Sequence, residues 1–265
     1  PASKELCAPH IELCSLVSYQ IEDFASAYWN KKSSEFTPKE SFLLQQLTNE
    51  YTGIHKVMGI PLILYMTLAL HINVSNSSHV GDIYEQIFSL ENKNSIYFRS
   101  KYDEEHLITA SEADKIHAFS KRIAERIWEL NPSEATIKKS VCIDIVNEIA
   151  GTGEENLRKL LLGQYFIEGK DGCELLFVHR SIYEYFVALS LYDKIKQLAD
   201  TKLSPVELYN QLETDSQDIE LAHIANLIGV QPLTEYPDIQ GFLLNMFQKK
   251  QILNSNWWYD FFYLF

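Results

Sequence analysis

Apolar residues along this chain recur mostly at helical spacing. Leu16, Ile21, Phe24, Ala25 and Tyr28 fall near one face of a helical wheel, the pattern of a helix that packs one side against a core. Thr37-Pro38-Lys39-Glu40 then places a capping Thr, a Pro at the first helical position and a Glu three residues after the cap. Such a start satisfies backbone N–H groups that the helix itself leaves open, so a helix is expected through Phe42, Leu43, Leu44 and Leu47. Ser204-Pro205-Val206-Glu207 repeats the device. Gly59-Ile60-Pro61 opens a run to Ile72 that reads as a mostly buried helix, and Val80 to Leu90 carries Ile83, Tyr84, Ile87 and Phe88 on one side. Residues 1–92 are therefore expected to form a helical bundle.

The polar stretch Glu91-Asn92-Lys93-Asn94-Ser95 marks a boundary. Beyond it, Thr109 to Leu130 predicts a long amphipathic helix with Ile116, Phe119, Ile123, Ile127 and Leu130 in register, ended by Asn131-Pro132. Ile137 to Ile149 and Glu154 to Leu162 predict two shorter helices split by Gly151-Thr152-Gly153. The one clear β pattern follows: Tyr165 to Glu168 and Glu174 to Val178, joined by Gly169-Lys170-Asp171-Gly172-Cys173, which is hairpin chemistry. Helices followed by a hairpin predict a winged-helix domain over 93–198. Ser181-Ile182-Tyr183-Glu184 reads as a capping box that starts the next helix, and 199–265 is helical but more weakly patterned, either a C-terminal helical domain or the start of a sensor region. The expected fold class is mainly α, with a small β-hairpin wing.

Composition changes this picture little and charge changes it more. The 265 residues are 46% hydrophobic and 22% charged, as in ordinary globular chains, with a net charge of −13. An acidic chain is poorly suited to gripping a phosphate backbone by counterion release, so no nucleic-acid partner is expected. Cys7, Cys14, Cys142 and Cys173 are too scattered for a disulfide framework or a zinc site. The longest apolar run, Ile60 to Ile72, is shorter than the roughly 18 residues a membrane span needs, which predicts a cytoplasmic protein without membrane contact. Both ends read as cut. The chain opens without Met, and it stops in the aromatic string Trp257 to Phe265, which is expected either to be covered by a missing part of a larger protein or to anchor a partner.

Four constellations bear on chemistry. Gly59-Ile60-Pro61 is in the first place a helix opener. His179 stands between the end of a β-segment and Ser181, next to a helix start that favours anions; its imidazole is either a structural hydrogen-bonding group or an anion ligand. Gly151-Thr152-Gly153-Glu154-Glu155 lacks the Gly-Lys-Ser/Thr ending of a phosphate loop, and its Glu pair would repel phosphate. Nothing in the sequence brings Cys142 near His179 and Glu184 as a nucleophilic set, so no catalytic or metal-binding residue is expected.

The string Phe177-Val178-His179-Arg180-Ser181-Ile182-Tyr183-Glu184-Tyr185-Phe186-Val187-Ala188 resembles the end of the winged-helix domain in NACHT-type members of the STAND class of signalling NTPases, bacterial members above all. Upstream, Gly59-Ile60-Pro61-Leu62-Ile63-Leu64 is similar to the Gly-x-Pro-Leu motif of their first helical domain. Asp82-Ile83-Tyr84-Glu85-Gln86-Ile87-Phe88 is similar to the segment leading out of it. The resemblance covers about residues 10–198. It implies that Pro61, following Gly59, packs against the adenine of ADP or ATP and that His179 reaches the β-phosphate. A rigid Pro offers a flat apolar wall, and an imidazole can donate to a phosphate oxygen, more strongly if protonated.

No Gly-x-x-x-x-Gly-Lys-Ser/Thr and no apolar strand ending in paired acids occurs. The parts that bind Mg²⁺ and hydrolyse ATP are missing, so the chain is not expected to be an enzyme on its own. The resemblance implies an upstream P-loop domain and a downstream sensor in the same polypeptide, homo-oligomerisation on activation, and signal transduction, with antiviral or immune defence among the family's roles. Two other readings stay open. One is a winged-helix DNA-binding regulator, whose recognition helix would set only Arg158 and Lys159 against Glu154 and Glu155; the other is a helical protein-interaction scaffold.

Overall fold

A computed structural model of the chain describes residues 15–51, 53–70, 72, 74, 79–88, 109–150, 161–162, 166–169, 172–201, 203–214, 219–229, 232–250, 257 and 260–261. Among these residues the protein is mainly helical, with one small three-stranded antiparallel sheet. It divides into two compact units, the first ending at Ile83 and the second beginning at Tyr84.

The first unit is built from α1 (Ser18–Trp29), α2 (Pro38–Leu47), α3 (Gly53–Met58) and α4 (Pro61–Ala69). α1 stops at Asn30, whose left-handed backbone (φ 51°) suits a short polar side chain. α2 starts on the expected capping box: Thr37 N–H donates to Glu40 Oε2 at 2.7 Å and Glu40 N–H donates back to Thr37 Oγ1 at 3.3 Å. Lys31 also holds Glu40 at 2.8 Å, and that bond, ahead of the Thr37 amide, draws the carboxyl pKa down to about 2. α4 opens on Pro61 and buries Ile63, Leu64, Met66 and Leu68 on several sides, consistent with its nearly unbroken apolar run. Ile21 and Ala25 of α1, Leu44 and Leu47 of α2, and Ile54 and Met58 of α3 complete this core.

α5 (Val80–Phe88) contains the division between the units, and its Tyr84, Ile87 and Phe88 are buried. The second unit continues with α6 (Ala110–Leu130), β1 (Thr136–Lys138), α7 (Lys139–Ala150), the hairpin β2 (Phe166–Glu168) and β3 (Glu174–Phe177), then α8 (Arg180–Asp200), α9 (Pro205–Thr214), α10 (Ile219–Gly229) and α11 (Pro237–Lys250). α6 is capped by Thr109 and Glu112 and buries Ile116, Phe119, Ile123 and Ile127. Leu130, expected on the same face, is 57% exposed because the helix ends there and Asn131 turns the chain away.

Strand order is β1-β3-β2, with β3 central and antiparallel to both neighbours. β1 corrects the expectation of helix from Ile137. Ile137 pairs with Leu175 and is buried, and α7 begins only at Lys139. The hairpin is where the sequence places it, with Gly169 N–H donating to Glu174 O at 2.9 Å and Gly172 at φ +69°, a conformation that favours glycine. Phe166 and Phe177 face each other across it at 4.5 Å.

α8 is the axis of this unit. It buries residues on nearly every face, Ile182, Tyr183, Tyr185, Phe186, Leu191 and Ile195 among them, because α6, α10, α11 and the sheet all pack against it. Rings from α5 and α11 join this core: Tyr84 and Phe242 lie 4.9 Å apart, and Phe88 stacks on Tyr185 at 5.5 Å. α10 and α11 thus share the core of α6 and α8. Trp257 donates to Leu203 O at 3.0 Å and Phe261 is buried, so this part of the aromatic string packs on its own chain.

Candidate functional site

Gly59 and Pro61 shape the corner between α3 and α4. Leu16 N–H donates to Gly59 O at 2.8 Å, bringing the residues before α1 against this corner. A Cβ on Gly59 would lie 2.9 Å from Ser15 Cβ and 3.0 Å from Leu16 O, so the glycine is there for close backbone approach. Pro61 follows the Ile60 N-cap at the first position of α4, where a missing N–H costs nothing, and it is exposed. It offers a rigid apolar surface of the kind a flat base stacks on.

His179 belongs to the second unit. The helix expected to begin on a Ser181 cap begins two residues earlier: His179 is the N-cap of α8, in extended conformation. Its Nδ1 accepts the Ser181 N–H at 3.1 Å, one of the donors the first turn leaves open. Glu184 consequently does not reach back to Ser181; its Oε1 accepts from Arg180 Nε at 2.9 Å, and Arg180 Nη1 donates to Ser133 O at 3.0 Å.

A backbone N–H can only donate, so Nδ1 must be the acceptor and the neutral ring carries its proton on Nε2. Ser181 Oγ lies 2.6 Å from Nδ1, and Tyr84 O–H donates to that same oxygen at 2.5 Å. Burial lowers the His179 pKa, which keeps the ring neutral near pH 7. The side chain is half-buried, and Nε2 takes part in no hydrogen bond among the described residues. The arrangement is a fixed, neutral N–H donor at the mouth of a helix N-terminus, a place that favours an anionic oxygen. Burial also raises the pKa of Glu184, offset by its Arg180 bond, and raises that of Tyr84 more than its Ser181 bond lowers it.

Sequence reasoning singled out Gly59, Pro61 and His179 but not the part of Tyr84, which lies 97 residues from its partner Ser181. Its signals were a place on the apolar side of Val80 to Leu90 and membership of the segment Asp82 to Phe88, and neither points to Ser181.

Other constellations offer less. The Cys142 thiol is buried and its pKa is pushed up to about 12, the opposite of an activated nucleophile. Gly151 to Glu155, and Arg158 and Lys159 of the expected recognition helix, lie outside the described residues. An open cleft in the first unit is lined by Ser18, Tyr19, Glu22, Thr48, Asn49, Glu50 and Tyr51. Within it Ser18 donates to Glu50 Oε1 at 2.6 Å and lies 3.1 Å from His55 Nε2; the carboxylate binds the serine rather than the histidine, so this is not a triad that activates a nucleophile. Among the described residues no His, Cys, Asp and Glu side chains gather as a metal site, and no helix is long and apolar enough to cross a membrane. Comparison with protein-family models, with curated proteins and with solved structures finds no match for this chain.

Proposed function

We propose that this chain is the regulatory lid of a NACHT-type STAND signalling NTPase, with a helical domain over 1–92, a winged-helix domain over 93–198 and a further helical segment over 199–265. The observation that carries the reading is His179, an N-cap imidazole whose Nε2–H is left available at the start of α8. The winged-helix assignment is supported by the order helix, strand, helix, hairpin, with β3 in the middle of the sheet. The bound nucleotide supplies an adenine and a diphosphate. Pro61 offers the base an exposed apolar wall, and His179 donates from Nε2 to a phosphate oxygen while its own position is held by the Ser181 amide.

Catalysis and Mg²⁺ binding belong to a P-loop domain upstream, and the trigger to a sensor downstream. With ADP the lid is closed; exchange for ATP releases the winged-helix domain and exposes an oligomerisation surface of a cytoplasmic signalling protein. A nucleotide moves this balance only through its different affinities for the two states. Removing the His179 contact therefore favours the open state. The test is His179→Ala in the full polypeptide, read as oligomeric state and basal output without trigger. Both are expected to rise; ADP affinity and output that match wild type would remove His179 from the switch.

A further inference from the structure

We propose that Tyr84 is a positioning residue for His179, acting through Ser181 to hold the imidazole as an Nε2–H donor of fixed direction. The geometry is a short chain of donors. The Tyr84 hydroxyl gives its proton to Ser181 Oγ at 2.5 Å, which leaves the serine proton free to turn toward His179 Nδ1, 2.6 Å away. The Ser181 N–H reaches the same nitrogen at 3.1 Å. Two donors converge on Nδ1, so the proton is excluded from that position and kept on Nε2.

Tyr84 is itself immobilised. Its ring is fully buried and packs on Phe88 of α5, Tyr185 of α8 and Phe242 of α11. A buried phenol needs a partner for its hydroxyl, and this one spends its proton on the serine that orients the histidine. The position of α5 is thereby tied to the state of the ring at the start of α8. Arg180 and Glu184 on α8 and Asp238 on α11 are the charged groups of this neighbourhood; Glu184 and Asp238 act on Tyr84 electrostatically.

The protonation state follows from the chain itself. Its consequence, a neutral donor suited to an oxygen of a nucleoside diphosphate, rests on the lid reading above. The experiment is nitrogen–proton correlation NMR of histidine-labelled protein, following His179 between pH 5 and 8 in wild type, Tyr84→Phe and Ser181→Ala. Tyr84→Phe keeps the packed ring and removes only the hydroxyl.

In wild type, His179 is expected to show Nε2–H alone and to titrate below the usual imidazole value near 6.5. In Tyr84→Phe the Ser181 amide still keeps the neutral ring's proton on Nε2, but the serine oxygen is free to accept from Nδ1–H once the ring is protonated, so the titration should move toward 6.5; Ser181→Ala should alter it as well. An unchanged His179 in Tyr84→Phe, with the fold intact by its proton spectrum, would overturn the proposal. The readout needs no nucleotide, so failure of ADP to bind the full polypeptide would strike the lid reading and leave the relay standing.

Discussion

Gly59 has no space for a side chain. The atoms that a Cβ would meet include the backbone oxygen of Leu16, which cannot swing aside as the tip of a long side chain can. Gly59→Ala is therefore expected to cost about 1–3 kcal/mol, as overpacking does, read as a lower denaturation midpoint. Wild-type stability would mean that the 15–16 segment does not hold this position. His117 makes a pH prediction. Burial, aided by Lys121 and opposed by Asp193 and Asp114, lowers its pKa to about 4, and its ring meets Phe186 edge-on. On acidification the unfolded chain takes up this proton first, so stability present above about 6.5 is lost as pH falls toward 4. His179 acts in the same direction. Between pH 7 and 5 the loss from His117 is expected at about 1–2 kcal/mol in urea titrations, and His117→Gln should flatten the profile; parallel profiles would contradict the assignment. At this scale the sequence placed Pro61 at a helix start and His179 between a strand and a helix, as the structure does. The role of Tyr84 was not legible, because it depends on a partner far along the chain.

The helix starts were the most legible elements. Thr37/Glu40 and Ser204/Glu207 form the reciprocal bonds their spacing predicts, since a capping box is decided within four residues, and the structure adds the same bonds at Thr109/Glu112, where the apolar pattern predicts a helix start but no cap. Thr109→Ala should cost about 1 kcal/mol, seen in chemical denaturation, with Thr109→Ser recovering most of it. β1 was not legible. Three residues carry no period of their own, and Ile137 becomes strand only because β3, nearly forty positions later, supplies its partners. The start of α8 shows the same limit: Ser181 and Glu184 have the right spacing for a cap, but the His179 ring takes the amide and Arg180 takes the carboxylate. Phe177 is the residue on which the sheet meets α8, with Phe166 at 4.5 Å and Phe186 at 6.0 Å. Phe177→Ala should cost about 3–5 kcal/mol; a loss below about 1 kcal/mol would mean the sheet is not packed on the helix.

In the second unit, α10 and α11 are part of the core. Trp128 of α6 donates to Leu227 O of α10 at 2.7 Å, and Phe247 of α11 packs on Tyr192. Ending the chain at Thr201 would uncover Trp128, Tyr185 and Tyr192 together. The truncated protein is expected to aggregate or to bind a hydrophobic dye, and a soluble, cooperatively melting product would contradict this packing. The weak patterning of 199–265 hid this role, because its helices are recognisable as core only beside the rings they cover. On the proposed reading, His179 is the contact through which the chain holds a nucleotide. Its most direct test is calorimetric titration of ADP into this chain alone, into the polypeptide extended upstream through the proposed P-loop domain, and into that longer form with His179→Ala. Tight binding is predicted in the extended form only, weakened about tenfold or more by loss of a hydrogen bond to a charged phosphate; no binding in either form would contradict the account and leave a helical scaffold in its place.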